Sequence, residues 1–309
     1  MYSDEVIITV QNLVKNYGEF QAVKGIEFEV HTGEVFGLLG PNGAGKTTTL
    51  EMLVGLRKPD QGTAKIAQYD IISNINKVKE VIGVQLQSTS LFELLTVEEI
   101  LHLYASFYPK HVDIPSLIDD MLLTDKRKDR IKGLSGGQKQ RLAIALALVH
   151  DPFVIFLDEP TTGLDPQARR TLWDIILRLK EKGKTIVLTT HYMDEAHVLC
   201  DRIAIMDQGQ LIALDTPSEL VKNLQSDSAV QFRFEEEKSD INLLEIAGVK
   251  QVGNQKDAYV LYTDDLQTTL TSLITLASEQ QLQLIDLQTR TSTLEDVFIH
   301  MTGRSLREA

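Results

Sequence analysis

Short apolar runs alternate with helical patterns and turn residues along the first two thirds of the chain. Residues 35–39 and 153–157 are continuous apolar runs, typical of strands that are buried on both faces. Residues 142–149 form an apolar helix pattern, and helical spacing also covers 97–107 and 114–123. This alternation of strands and helices predicts an α/β fold. The apolar runs are far shorter than the ~20 residues that cross a bilayer, so we expect no membrane span.

The pattern changes near residue 226. Two alternating strands, an amphipathic helix and a further strand are predicted at residues 229–234, 259–262, 266–277 and 284–287. Ser292 and Glu295 have the spacing of a capping box that opens a last helix, which runs through Met301 and ends at Gly303. We therefore predict a domain of residues 1–225 and a small C-terminal α/β domain of residues 226–309.

The charge balance narrows the set of partners. The chain has 31 Lys and Arg against 44 Asp and Glu, a net charge of −13, and 14 of the acids lie in residues 226–309. An acidic protein is a poor match for a phosphate backbone, so we expect no nucleic-acid partner. The one cysteine, Cys200, permits no internal disulfide, and the acidic start does not resemble a secretory signal.

A phosphate-binding loop follows the first apolar run. The sequence has the form G-x-x-x-x-G-K-[ST] between a predicted strand and a predicted helix, in Gly40, Pro41, Asn42, Gly43, Ala44, Gly45, Lys46, Thr47 and Thr48. Its glycines let backbone N–H groups surround an anion, and the following helix adds its positive end. Lys46 is expected to reach the β- and γ-phosphates of a nucleotide, and the Thr47 hydroxyl to bind magnesium.

Two carboxylates end the second apolar run. Asp158 and Glu159 follow residues 153–157, so they are expected at the carboxyl end of a buried strand. Asp158 can hold the magnesium ion, and Glu159 can polarise a water for in-line attack on the γ-phosphate. Taken with the phosphate loop, these acids predict a nucleotide-hydrolysing site.

A second anion-binding helix start lies between these motifs. Ser135, Gly136, Gly137 and Gln138 precede the apolar helix pattern. With the loop and the acidic strand, this segment resembles the signature sequence LSGGQ of the ATP-binding cassette (ABC) family. The resemblance covers residues 6–225. It implies a P-loop NTPase cassette with a mixed sheet and an inserted helical subdomain at about residues 88–150, which binds ATP and Mg²⁺.

Further residues match the family in order along the chain. Gln87 resembles the glutamine that contacts magnesium and communicates with a membrane partner, although Gln85 is a rival for that position. Asp165 resembles the D-loop aspartate and His191 the histidine that contacts the γ-phosphate. Tyr17 resembles the aromatic residue that stacks on adenine. The family role of Lys46, Gln87, Glu159 and His191 is catalytic.

The resemblance also implies how the protein works. Family members form a head-to-tail dimer in which Lys46 of one cassette and Ser135–Gln138 of the other enclose one ATP, and we expect a homodimer. Separate membrane permease subunits would hold the protein on the cytoplasmic face of the membrane.

Residues 292–304 resemble the end of drug-exporter ATPases of the daunorubicin-resistance type. The cargo could be a drug, a lipid or an ion, and import is not excluded. The alternative is a non-transport ABC ATPase of the translation or DNA-repair type. Residues 226–309 could be structural or regulatory.

Overall fold

A computed structural model gives the structure of the chain and describes residues 5–87, 90–224, 228–235, 241–255 and 258–302. The chain divides into two compact units, Met1–Leu214 and Asp215–Ala309. The expected boundary between Gln225 and Ser226 lies outside the described residues. The division falls before that position because the short helix Pro217–Lys222 packs against the last helix of the chain, within the second unit.

Strands and helices alternate through the first unit. Its strands are β1 (Val6–Tyr17), β2 (Phe20–His31), β3 (Val35–Leu39), β4 (Gln61–Ile66), β5 (Tyr69–Asp70), β6 (Ile82–Gln85), β7 (Val154–Asp158), β8 (Thr185–Thr190), β9 (Arg202–Asp207) and β10 (Gln210–Asp215). Its helices are α1 (Lys46–Leu53), α2 (Ile75–Val81), α3 (Val97–Ala105), α4 (Ile114–Asp120), α5 (Gly136–Leu148), α6 (Pro166–Glu181) and α7 (Met193–Leu199).

A six-stranded sheet with the order β10-β9-β3-β8-β7-β6 carries the predicted motifs. Strands β9, β3, β8, β7 and β6 are parallel to their neighbours among these five. Every residue of β3, β7 and β8 is buried, as the continuous apolar runs predict. Leu39 pairs with Thr190 and Asp158 with Thr189, so the carboxyl ends of β3, β8 and β7 lie side by side.

A second sheet of the first unit is antiparallel, with the order β2-β1-β4-β5. Strands β1 and β2 form a hairpin whose last pair is Tyr17 and Phe20. Gly18 lies between them with a φ of +61°, a left-handed conformation that favours glycine. The hairpin therefore places two aromatic side chains beside each other at its end.

Helices α3, α4 and α5 fall in the interval where the helical subdomain is expected. Helix α3 begins with a capping box, in which Thr96 and Glu99 each bond to the other's backbone N–H. Two single 3-10 turns, Thr124–Lys126 and Ile131–Gly133, connect α4 to α5.

The second unit is a four-stranded antiparallel sheet with helices. Its elements are α8 (Pro217–Lys222), β11 (Ser228–Phe234), β12 (Val249–Gln255), β13 (Ala258–Thr263), α9 (Leu266–Glu279), β14 (Leu284–Thr291) and α10 (Leu294–Thr302). The sheet order is β12-β13-β11-β14. Val230, Phe232 and Leu261 pack in one apolar cluster with Leu273 of α9. The two alternating strands and the amphipathic helix were predicted from the sequence, whereas β12 was not.

The start of the last helix differs from its prediction by one residue. Helix α10 begins at Leu294, and the Asp296 carboxylate accepts hydrogen bonds from the Thr293 backbone and hydroxyl. Because the helix begins one residue later than predicted, Thr293 takes the place predicted for Ser292, and Asp296 takes the capping role predicted for Glu295. The Asp296 side chain is buried. Gly303 lies outside the described residues. No helix among them is long and apolar enough to cross a membrane.

Candidate active site

The loop from Gly40 to Gly45 joins β3 to α1 and leaves space for an anion. Gly43 and Gly45 have φ values of +81° and +102°. A Cβ on Gly43 would meet no atom within 4 Å, whereas one on Gly45 would lie 2.6 Å from the Ala22 carbonyl oxygen. No side chain of the residues that the structure describes caps the start of α1, so its first N–H groups are available to a ligand.

Lys46 lies inside this loop. Its Nζ atom donates hydrogen bonds of 2.9 Å to the carbonyl oxygens of Gly40 and Pro41, and its side chain is only 4% exposed. Burial lowers the pKa of Lys46, and the nearby Glu159 and Asp158 carboxylates counteract that effect. A desolvated ammonium group at this position is a strong partner for phosphate oxygens.

Asp158 ends β7 beside the loop. Its Oδ1 atom accepts hydrogen bonds from Thr47 Oγ1 at 3.1 Å and Thr189 Oγ1 at 2.5 Å. Burial raises the pKa of Asp158, although both hydroxyls favour the ionised form. Asp158 and the Thr47 hydroxyl together offer adjacent oxygen ligands of the kind that Mg²⁺ prefers.

The next residue, Glu159, has an unusual backbone. Its φ of +46° lies in the left-handed region, where side chains other than glycine are uncommon. Its N–H group donates hydrogen bonds to two atoms of Thr189, the carbonyl oxygen at 3.2 Å and the hydroxyl oxygen at 2.9 Å. Two hydrogen bonds to β8 thus hold Glu159 in a strained conformation, and its side chain lines the nucleotide-sized cavity described below.

Four side chains surround the Glu159 carboxylate. Oε2 accepts hydrogen bonds from Gln87 Nε2 at 3.2 Å and Thr162 Oγ1 at 3.1 Å. Oε1 lies 3.7 Å from Lys46 Nζ and 3.3 Å from His191 Nδ1. The His191 contact lacks hydrogen-bond geometry, and that buried nitrogen has no hydrogen-bond partner among the described residues. Gln87, rather than its rival Gln85, reaches this carboxylate.

These groups open into one cavity of about 610 Å³. It is lined by Tyr17, Phe20, Ala22, Asn42, Gly43, Gly45, Lys46, Thr47, Thr48, Gln87, Glu159, Thr162 and His191. Asp158 lies behind Thr47, and Gly40, Pro41 and Ala44 form the loop without lining the cavity. Phe20, Ala22 and Thr162 were not predicted from the sequence. The pairing of Phe20 with Tyr17 across the hairpin is the signal that could have revealed Phe20.

Tyr17 lies at one end of the cavity with its side chain accessible. It is 41% exposed, and two cations flank its ring, Lys15 Nζ at 5.8 Å and Arg57 Cζ at 5.4 Å from the centroid. Lys15 is bonded to Asp60 and Arg57 to Glu51, so each cation is held in place. The ring is therefore positioned to stack against a planar ligand.

The structure does not bring the other predicted residues to this cavity. Ser135 caps α5 in a capping box with Gln138, and Gly137 packs beside Ala168 of α6. Asp165 caps α6 by accepting hydrogen bonds from the N–H groups of Gln167 and Ala168. Within one chain, Ser135, Gly136, Gly137, Gln138 and Asp165 thus start two helices and line no part of the cavity.

Comparisons with known proteins show which proteins this chain is similar to. The family model described as ABC transporter matches residues 23–162. The chain is 36% identical over 315 residues to the linearmycin resistance ATP-binding protein of Bacillus subtilis (strain 168), covering 98% of this chain and 100% of that protein. It is 36% identical to the Nod factor export ATP-binding protein I of Ralstonia nicotianae, covering 98% and 95%.

Solved structures of ATP-binding cassettes are also similar to this chain, and one of them is dimeric. It is the dimeric structure of a post-hydrolysis state of an ATP-binding cassette bound to ADP and Pi. The TM-score is 0.61 at 28% sequence identity, and the match covers 68% of this chain and 98% of that one.

Proposed function

Because the chain belongs to the ABC transporter family and is the ATP-hydrolysing subunit of such a transporter, we propose that it powers the export of an organic compound through separate membrane subunits. The predicted family and its α/β cassette fold are confirmed. The names of the two relatives support export, since one confers linearmycin resistance and the other exports Nod factor. We place the protein at the cytoplasmic face of the membrane, where ATP is present and a permease can hold it.

The proposed nucleotide position follows the cavity from Tyr17 to Glu159. Adenine stacks on Tyr17, and the phosphates lie along the loop against Lys46 and the first N–H groups of α1. The residues at this site fit a magnesium ion, because Thr47 and Asp158 present oxygen atoms beside the loop and the Gln87 amide faces the same space. When bound, Mg²⁺ would neutralise phosphate charge.

Glu159 is the proposed base. A water oxygen attacks the γ-phosphorus, its proton passes to Glu159, and ADP leaves with the electron pair of the broken P–O bond. His191 and Lys46 lie on the Oε1 side of the carboxylate, where negative charge develops on the transferred group. The observation that carries this proposal is the convergence of Lys46, Gln87 and His191 on one buried carboxylate.

The signature residues act, we propose, on the nucleotide of a second, identical chain. Ser135 and Gly136 lie at the start of α5 but line no part of the cavity in their own chain. A head-to-tail dimer would give each cavity the helix start of the other chain, and with it further N–H donors for phosphate. The similar cassette structure is described as dimeric, which supports this arrangement.

A Glu159→Gln variant tests both proposals. It should bind ATP with unchanged affinity, hydrolyse it about 100-fold or more slowly, and accumulate as an ATP-dependent dimer in size-exclusion chromatography. The control is Glu80→Gln, which changes an exposed ion pair with Lys77 and should behave as the wild type. Wild-type turnover in Glu159→Gln would refute the assignment of the base. Full activity in a strictly monomeric protein would refute the dimer.

A second cavity of the first unit, about 460 Å³, is proposed as the docking site for the permease. Apolar side chains of β6, α3 and α5 line it, and the Tyr108 ring stacks on His150 at 4.2 Å. Strand β6 also leads directly to Gln87, so a segment bound here would lie next to the nucleotide cavity. Its apolar lining suits a cytoplasmic helix of the permease.

Leu56→Glu tests this docking site, because Leu56 lines the cavity and is 55% exposed. The variant should lose co-purification with its permease from membranes while keeping its ATP affinity. Ile72→Glu is the control, since Ile72 is 42% exposed and lies outside the cavity lining. Undiminished co-purification of Leu56→Glu would place the permease elsewhere.

A further inference from the structure

A four-residue turn begins at the strained Glu159, and its fourth residue, Thr162, contacts the Glu159 carboxylate. Residues 159–162 form a turn with Pro160 at its second position, and the Thr162 N–H donates to the Glu159 carbonyl oxygen at 3.2 Å. The same residue donates its hydroxyl to Glu159 Oε2 at 3.1 Å. Backbone and side chain of Thr162 are thus both bonded to the residue proposed as the base.

The two oxygens of this carboxylate have different surroundings. Oε2 accepts from Gln87 and Thr162, whereas Oε1 faces Lys46 and His191. Two donors on Oε2 fix the rotation of the carboxylate, and they leave Oε1 directed toward the groups that meet the phosphate. Of these donors, Gln87 is an exposed side chain on the strand-to-loop junction, while Thr162 is tied by its turn.

We propose that Thr162 is a positioning residue that holds Glu159 so that Oε1 faces the attacking water. The proposal rests on the assignment of Glu159 as the base. A hydroxyl donor to an ionised carboxylate makes a charge-assisted hydrogen bond, and the branched side chain of threonine restricts its own rotation. Serine keeps the donor with more rotational freedom, and valine keeps the shape without the donor.

The position of Thr162 in the chain gives this contact a second consequence. Thr162 is followed by Gly163 and Leu164, and Asp165 then caps α6. The N–H group of Leu164 also bonds to the Thr161 carbonyl oxygen at 3.2 Å, so the segment is a continuous series of turns. A partner that displaces the start of α6 would therefore move the donor that positions the base.

The test compares Thr162→Val, Thr162→Ser and Thr171→Val in the full-length protein. Thr162→Val should lower kcat about tenfold, leave the KM for ATP and the Kd of a fluorescent ATP analogue within twofold, and leave the melting temperature unchanged. Thr162→Ser should recover most of the lost kcat. Thr171→Val is the control, because the Thr171 hydroxyl donates to the Gln167 carbonyl oxygen within α6 and to no other acceptor in the part of the chain that the structure describes.

A double variant separates positioning from a general structural role. In a Glu159→Ala background, Thr162→Val should have no further effect on the residual rate, because there is no carboxylate left to position. An additive tenfold loss in that background would overturn the proposal. So would an increase in KM at unchanged kcat, or equal losses in Thr162→Val and Thr162→Ser.

Failure of the proposed function has a different outcome. Wild-type turnover by Glu159→Gln would remove Glu159 as the base whatever Thr162→Val does. If Glu159→Gln is inactive and Thr162→Val has the wild-type kcat, only the role of Thr162 is refuted.

Discussion

The two units each bury an aspartate among hydrogen-bond donors, and the two clusters differ in how completely they are satisfied. In the second unit, Asp296 accepts hydrogen bonds from the two terminal nitrogens of Arg290 at 2.5 and 2.8 Å and from the Tyr262 hydroxyl at 2.8 Å. Asp296 also accepts hydrogen bonds from the backbone N–H and the hydroxyl of Thr293. In the first unit, Asp158 accepts hydrogen bonds from two hydroxyls of the described residues, those of Thr47 and Thr189, and both reach its Oδ1 atom.

The pKa values shift in opposite directions in the two clusters. Burial alone would raise the pKa of Asp296, but the hydrogen bonds and charge of Arg290 outweigh it and lower that pKa. Burial raises the pKa of Asp158 despite its two hydroxyl donors. A cluster that is already satisfied stabilises the fold, whereas an incompletely satisfied one beside an open cavity gains its remaining partners from a ligand.

Of the two buried aspartates, Asp296 of the second unit should cost more stability than Asp158 when it is replaced. Asp296→Ala leaves Arg290 and the Tyr262 hydroxyl partly buried without their acceptor, and should lower the free energy of unfolding of that unit by about 3–5 kcal/mol. Asp286→Ala is the matched control, since it breaks the exposed Arg233–Asp286 ion pair of the same sheet and should cost far less.

The chain carries its own probe for separating the units. Trp173 is the one tryptophan of the sequence and lies in α6 of the first unit. Its fluorescence during urea unfolding follows the first unit, while far-UV circular dichroism follows both. If Asp296→Ala moved the Trp173 transition as much as the circular dichroism, or moved neither, the view of Asp296 as the stabilising centre of the second unit would be wrong.

Asp158→Asn should show the reverse relation between stability and function. The asparagine Oδ1 can still accept from Thr47 and Thr189, and the raised pKa of Asp158 means that a neutral side chain is easier to bury. We therefore expect the nucleotide-free unit to unfold at the same or higher urea concentration, while ATP turnover falls about 100-fold or more. Asp296→Asn is the comparison, and it should destabilise its unit. A clear loss of stability in Asp158→Asn would contradict the difference drawn between the clusters.

The first of the two clusters, at the ends of β3 and β7, is predicted well by the local sequence. The phosphate loop, the apolar strand before it and the acids at the end of β7 are contiguous motifs, so their placement at neighbouring strand ends follows from parallel pairing. Gln87, His191 and Tyr17 come from separate segments and were found through the family resemblance. The structure brings all three to the same cavity.

Residues whose role depends on a turn or on a distant partner were not predicted. Thr162 reaches Glu159 only because residues 159–162 close a turn after a left-handed residue. Asp296 of α10 was not predicted, because its partners Arg290 and Tyr262 lie on two strands, β14 and β13, that only the folded sheet brings to it. Strand β12 contains Gly253 and polar residues, and it forms an edge of the sheet, where a strand needs no strong apolar alternation.

Acid should remove the stabilisation that Asp296 gives, in a defined window. The folded-state pKa of Asp296 lies below the value of 3.8 for an unperturbed aspartate, so the unfolded chain takes up this proton first as the pH falls. The contribution of Asp296 is therefore fully present above about pH 4 and is lost as the pH falls through its folded-state pKa.

Urea midpoints measured by circular dichroism between pH 6 and pH 3 should decrease more steeply for the wild type than for Asp296→Asn, whose amide side chain binds no proton in this range. Asp265, whose pKa is also lowered, by hydrogen bonds from Thr268, stays in both proteins and cancels in the difference. Parallel curves for the two proteins would show that folding does not lower the pKa of Asp296, and the second cluster would then not stabilise an ionised Asp296.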